Sequence, residues 1–199
     1  MLKKLTLLTA SAISAFALHT AQLNINDVDL EAGIALDVGQ FNQNVEPNTM
    51  FIGAKFLNPD ISHAGNTVIT INPYFEGNFL IMKAIGDMGM SLGMGAKINY
   101  TRVNGKDFST LPFGAEFSYA IPAPKLIPMS LSGSIYYAPK VLSFANAKDY
   151  LEYRLHYDVE FIENVGVTVG YRNMNTNFDV VNGNLNYNTS WYGGVKVKF

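Results

Sequence analysis

The segment Asp87–Tyr100, DMGMSLGMGAKINY, alternates with a period of two along its whole length. Met88, Met90, Leu92, Met94, Ala96, Ile98 and Tyr100 fall on one side of an extended chain. Asp87, Gly89, Ser91, Gly93, Gly95, Lys97 and Asn99 fall on the other. Successive side chains of a strand point to opposite faces, whereas a helix would scatter both sets around its circumference. The pattern recurs at Leu30 to Val38, Leu111 to Ile121 and Leu151 to Phe161, with weaker versions over about 48–57, 67–82, 129–138, 165–174 and 184–199. No stretch after Gln22 has a convincing helical period, so the chain is read as all-β.

The breaks between these segments differ in length. Ile121-Pro-Ala-Pro-Lys-Leu-Ile-Pro128 cannot lie inside a central strand, because proline withholds a ladder donor. This break, Ile162–Asn164 and Lys83–Asp87 are read as turns. Asn58–Asn66, Thr101–Thr110, Ala138–Asp149 and Asn173–Asn184 are longer and polar. Alternating long and short connections predict an antiparallel up-and-down transmembrane β-barrel. Nine segments are visible, and termini on one side of a membrane require an even number. A short further strand at Gln22–Asn26, turning through Asp27, predicts ten strands, with eight as the alternative if a weak segment is a loop.

The first residues bear on compartment. Met1-Leu2-Lys3-Lys4 is a short basic start, Leu5 to Ala17 is apolar, and Ala15-Phe16-Ala17 supplies a small-x-small cleavage pattern. This predicts a signal peptide over 1–17, cut after Ala17 or alternatively Ala21, and a single barrel domain over 18–199. Loss of Lys3 and Lys4 would take the formal charge from -2 to about -4. No later run reaches the ~18 apolar residues of a spanning helix. The absence of cysteine excludes a disulfide framework and thiolate metal chemistry. The slightly negative charge argues against a nucleic-acid binder, which would show a basic patch.

The polar face is rich in Gly, Ser and Asn, sizes that suit the interior of a narrow barrel. If that face points inward, Glu31, Lys55, Glu76, Lys97, Glu116, Glu152, Arg154, His156, Asp158 and Arg172 share the lumen. Asp29, Asp37, Glu160, Lys196 and Lys198 lie on the same face. Buried charges are expensive unless paired, so mixed signs predict a closed polar network. The apolar face would meet outer-membrane lipid, with Tyr100, Tyr119, Tyr137, Tyr171, Tyr187 and Trp191 as aromatic girdles. At the terminus, Gly194 followed by alternating Val195, Val197 and Phe199 resembles the signal by which such barrels are handed to their assembly machinery.

A narrower resemblance lies further in. Tyr136–Tyr153, YYAPKVLSFANAKDYLEY, and Gly170–Phe178, GYRNMNTNF, together with Asn24-Ile25-Asn26-Asp27, resemble the YfaZ-type outer-membrane proteins. The resemblance implies an integral outer-membrane β-barrel whose molecular activity is not established, and it carries over no catalytic residue.

Chemistry leaves few traces. Beyond Ala21 only His63 and His156 remain, His63 beside Ser62 in a predicted loop and His156 between Arg154 and Asp158 on the polar face. No cofactor, zinc, calcium or phosphate-cradling motif is present, and no cofactor is expected. The expectation is a structural or surface-interaction barrel with a closed lumen. A small-solute channel and a lipid-modifying enzyme are the alternatives. In the loop at 138–149, Leu142 and Phe144 are expected to cap the barrel mouth.

Overall fold

The computed structural model describes residues 19–59, 62–64, 67–122, 127–178 and 183–199. The leader expected over 1–17 lies outside them. Ten strands build the wall: β1 (Thr20–Ile25), β2 (Asp29–Asp37), β3 (Met50–Pro59), β4 (Tyr74–Ile85), β5 (Met90–Val103), β6 (Phe113–Ala120), β7 (Met129–Ala138), β8 (Tyr150–Ile162), β9 (Val165–Phe178) and β10 (Gly183–Lys198). Each pairs antiparallel with its neighbours in sequence. The ring closes where β10 returns to β1, from Thr20↔Lys198 to Ile25↔Gly193. The fold is a closed ten-stranded antiparallel barrel. The short first strand decides this, because without β1 both β2 and β10 would carry open edges.

Both termini lie at one end of the barrel, the terminal end; the other is the loop end. Connections at the loop end are long over 60–73, 104–112 and 139–149, and carry small strands of their own. Lys106–Thr110 prolongs the β5 hairpin through Asn104 and Gly105, whose φ values of 49° and 74° suit a two-residue hairpin turn. Ser143–Ala145 pairs with that hairpin's outer edge. The segment expected as one strand over 67–82 is divided. Thr67–Ile69 pairs with Ser62–Ala64 in the loop, and β4 begins only at Tyr74. Asn72-Pro73 separates them, since proline cannot donate to a ladder and restricts the residue before it.

The alternation of long and short connections fails at the first pair. The β1–β2 turn at the loop end is short, held by Asn26 Oδ1 accepting from the backbone N–H of Val28 (2.8 Å) and Asp29 (2.7 Å). The β2–β3 connection at the terminal end is long. Asp37 organises it, its carboxylate accepting from the N–H of Gly39 (3.0 Å) and Asn48 (2.7 Å). Val38, expected to end the second strand, instead opens a 3-10 turn over Val38–Gln40.

The apolar face of the barrel is its outside. Met94 (76% exposed), Trp191 (70%), Ile98, Phe75, Ile135 and Leu155 all project outward. Glu31, Glu76, Lys97, Glu152 and Arg172 are buried inside. Aromatics cluster on the outer surface, with the Tyr171 and Trp191 ring centroids 5.3 Å apart and those of Phe56 and Phe75 5.2 Å apart. Tyr187 departs from the expected girdle and is buried inside. A bulge is the cause: Met174 pairs with Asn188 but Asn175 pairs with Asn186, so Tyr187 is the extra residue and the alternation of β10 reverses above it.

Candidate functional site

The barrel interior contains the chemistry, in three layers. At the loop end lies an apolar layer of Leu57, Ile71, Tyr74, Val103, Phe108, Ala138, Ala147, Tyr150, Met174, Leu185 and Tyr187. Loop residues supply part of it, with Ile71, Phe108 and Ala147 folding inward over the strand ends. Leu142 packs against this layer as expected, but Phe144 is 51% exposed. Phe108 fills the position instead, because Ser143 is the inward residue of its short strand and Phe144 therefore points away. Polar tips knit the layer together. Tyr74 and Tyr150 hydroxyls lie 3.0 Å apart, and the Tyr187 hydroxyl donates to the Asn72 carbonyl (3.0 Å).

Below it the charges meet. Arg172, with no exposed surface, donates from Nη2 to Asp29 Oδ1 (2.6 Å), from Nη1 to Glu31 Oε2 (2.8 Å) and from Nε to Asn188 Oδ1 (2.8 Å). Arg154 donates from Nη1 to Glu31 Oε2 (2.7 Å) and from Nε to Glu152. Lys97 Nζ lies 3.0 Å from Glu152 Oε2 and 3.2 Å from Glu76 Oε2. Lys55 stands 3.6 Å from Glu76 Oε1. Four carboxylates, on Asp29, Glu31, Glu76 and Glu152, thus alternate with four cations across the lumen. Strands β2, β3, β4, β5, β8 and β9 contribute, and Asn24 of β1 adds a hydrogen bond to Glu31 (2.9 Å). Pairing and hydrogen bonding of this density offset the desolvation of the charges.

Tyrosines fill the remaining space. The Tyr136 ring lies beneath the Lys97 ammonium, 4.1 Å from its centroid, and its hydroxyl donates to Glu116 Oε1 (2.6 Å). It packs where Gly95 and Gly114 leave room: a Cβ on Gly114 would stand 2.6 Å from the ring and 2.1 Å from the Ile135 carbonyl. The glycines of the polar face are thus the floor on which inward tyrosines rest.

The third layer, toward the terminal end, is looser. His156 Nε2 lies 3.7 Å from Asp158 Oδ2, while Lys196 Nζ approaches Asp158 to 2.6 Å. Lys198 pairs with Glu160. The structure therefore brings Glu31, Glu76, Lys97, Glu152, Arg154 and Arg172 into one buried network, with Lys55 and Glu116 at its margin. It leaves His156 and Asp158 in a separate, half-buried group. Asp29 belongs with the network, and so do Tyr74, Tyr136 and Tyr150. Their even-numbered positions beside Glu76, Ser134 and Glu152 were the signal available in the sequence. His63 lies in the small strand Ser62–Ala64, with its side chain outside the described residues.

Outside the lumen, the exposed Arg102 pairs with Asp107 at 2.6 Å in the loop-end hairpin. Hydrogen bonds from Arg102 and then Tyr100 hold the Asp107 carboxyl below its usual range. Of the terminal residues, Val195 is exposed outward. Gly194 faces inward, where Asn24 Oδ1 would stand 2.1 Å from any Cβ placed there. Phe199 exchanges backbone hydrogen bonds with His19, at 3.0 and 2.8 Å.

A search of curated proteins returns no significant match. A family model described as YfaZ precursor matches residues 5–199, and the chain, with its closed ten-stranded barrel and its charges on the inside, belongs to the YfaZ family.

Proposed function

We propose that the protein is an integral outer-membrane barrel with a structural or surface-interaction role and a closed interior. The observation that carries this reading is the inverted packing. Apolar side chains cover the outside, while the charges lie within and are paired. Exposed apolar area on this scale is disfavoured in water and suited to lipid. The apolar layer at the loop end and the ion network below it support closure, since their side chains are buried against one another across the lumen. The partners on this reading are outer-membrane lipid and, during biogenesis, the barrel-assembly machinery acting on Gly194, Val195, Val197 and Phe199. No enzymatic activity is assigned. Altered lipid A in a deletion strain, restored by the wild type but not by His156→Ala, would reverse that assignment.

The purified protein in detergent is expected to migrate differently on gels before and after boiling, and to give no stable conductance in planar bilayers. Large, steady single-channel steps would replace the closed reading with that of a small-solute channel. Processing follows from the same frame. His19 pairs with Phe199 and Thr20 with Lys198. Cleavage after Ala17 retains both contacts, whereas cleavage after Ala21 removes them. N-terminal sequencing of the protein from membranes is expected to begin at Leu18, and a start at Gln22 would contradict it.

A further inference from the structure

Between the ion network and the third layer lies a cavity of about 180 Å³. Lys55, Arg154, His156, Lys196, Asn78 and Glu116 line it. Its donors and acceptors are unequally engaged. Of the carboxylates behind it, Glu31 accepts from Arg154 and Arg172, Glu152 from Lys97 and Arg154, and Asp158 from Lys196. Glu116, the one carboxylate in the lining, accepts from the Tyr136 hydroxyl.

The donors retain capacity. Lys55 Nζ, on a side chain 21% exposed, stands 3.6 Å from Glu76, beyond hydrogen-bond distance. His156 Nε2 is likewise 3.7 Å from its nearest carboxylate. Arg154 Nη2 is buried with no hydrogen-bond partner, although Nε and Nη1 of the same group are both engaged. Lys196 has two N–H groups beyond the one directed at Asp158. A buried donor without an acceptor is disfavoured, and Arg154 Nη2, with three half-buried cationic or imidazole donors that keep spare capacity around the same cavity, defines a place for acceptor oxygens.

We propose that this cavity binds a small soluble phosphate compound, held by Lys55, Arg154, His156 and Lys196. A phosphate group offers several acceptor oxygens and a negative charge, matching a planar guanidinium and two ammonium groups. His156 can donate from one ring nitrogen in either charge state. The volume lies below the ~300–1,000 Å³ of ordinary ligand pockets, which limits the occupant to inorganic phosphate or a compact monoester. On the outer-membrane reading lipid lies against the outer surface, whereas these donors face the interior, which favours a soluble occupant.

Titration calorimetry of the whole protein in a nonionic detergent tests this, with inorganic phosphate and glycerol phosphate as probes. The wild type is expected to bind at least one of them saturably. Lys55→Met is expected to weaken binding about tenfold, the value of one charge-assisted hydrogen bond. His156→Gln should weaken it less, and Lys198→Gln, outside the cavity, should leave it unchanged. Heat-modifiable migration of each variant reports that the barrel is intact, and His156→Gln keeps the test open if Lys55→Met does not fold. The proposal is overturned if the wild type binds neither probe. It is equally overturned if Lys55→Met and His156→Gln both bind like the wild type, or if only micelle-borne phosphatidate binds.

Discussion

Replacing Arg172 with leucine is expected to destabilise the barrel by about 3–5 kcal/mol. Arg172 is completely buried and donates to Asp29, Glu31, Asn188 and Ser190 at 2.6 to 3.3 Å. Leucine preserves bulk but leaves Asp29 without its cation, and Glu31 with Arg154 alone. The penalty arises from carboxylates left in a medium that cannot solvate them, more than from the attraction lost. Urea denaturation in detergent, followed by the heat-modifiable gel shift, reads the change. Arg172→Lys should recover only part of it, because one ammonium cannot occupy the three directions of the guanidinium fork. Asp29→Asn combined with Arg172→Leu should be less harmful than the two single losses summed, since the uncompensated charge disappears. A loss below about 1 kcal/mol for Arg172→Leu would mean that water reaches the network freely.

Gly114→Val is expected to be nearly as damaging, for a steric reason. A Cβ at 114 would sit 2.1 Å from the Ile135 carbonyl oxygen and 2.6 Å from the Tyr136 ring. The ring cannot retreat, because the Lys97 ammonium covers its face and Glu116 holds its hydroxyl. Overpacking of this kind costs about 1–3 kcal/mol or more, and here it also displaces a member of the ion network. Gly193→Ala supplies the contrast. Nothing lies within 4 Å of a Cβ at 193, on the outward face of the same barrel. That change is expected to be neutral, or to stabilise by about 0.5–1 kcal/mol through reduced chain entropy. If both substitutions cost the same, the tyrosine-on-glycine packing is not what restricts position 114.

Much of this architecture was legible in the chain, because alternation assigns a face to every residue of a strand without reference to its partners. Glu76, Lys97, Glu152 and Arg172 could be placed on the inward face from parity alone. Parity does not say which charges meet. Arg154 and Glu31 are 123 positions apart, and Arg172 and Asp29 are 143 apart. Only closure of the ring sets those distances. Tyr187 was misassigned because Leu185, Tyr187 and Thr189 alternate without interruption, and a one-residue bulge leaves no mark on such a pattern. Phe108 and Phe144 presented the same ambiguity. Both are aromatics in short loop strands, and the pairing of those strands decides which one turns inward.

The first strand has a consequence for the membrane around it. β1 has six residues and β10 sixteen, so at ~3.3 Å per residue the two sides of the closing seam differ greatly in height. A spanning strand needs about 9–11 residues. On the outer-membrane reading, the hydrocarbon layer beside β1 and its short turn must thin to meet that low wall, at a fraction of a kcal/mol for each ångström of mismatch. The barrel therefore has a shallow side and a deep side. The shallow side is where the first and last strands join, so on that reading the joint closes in the thinnest part of the surrounding bilayer.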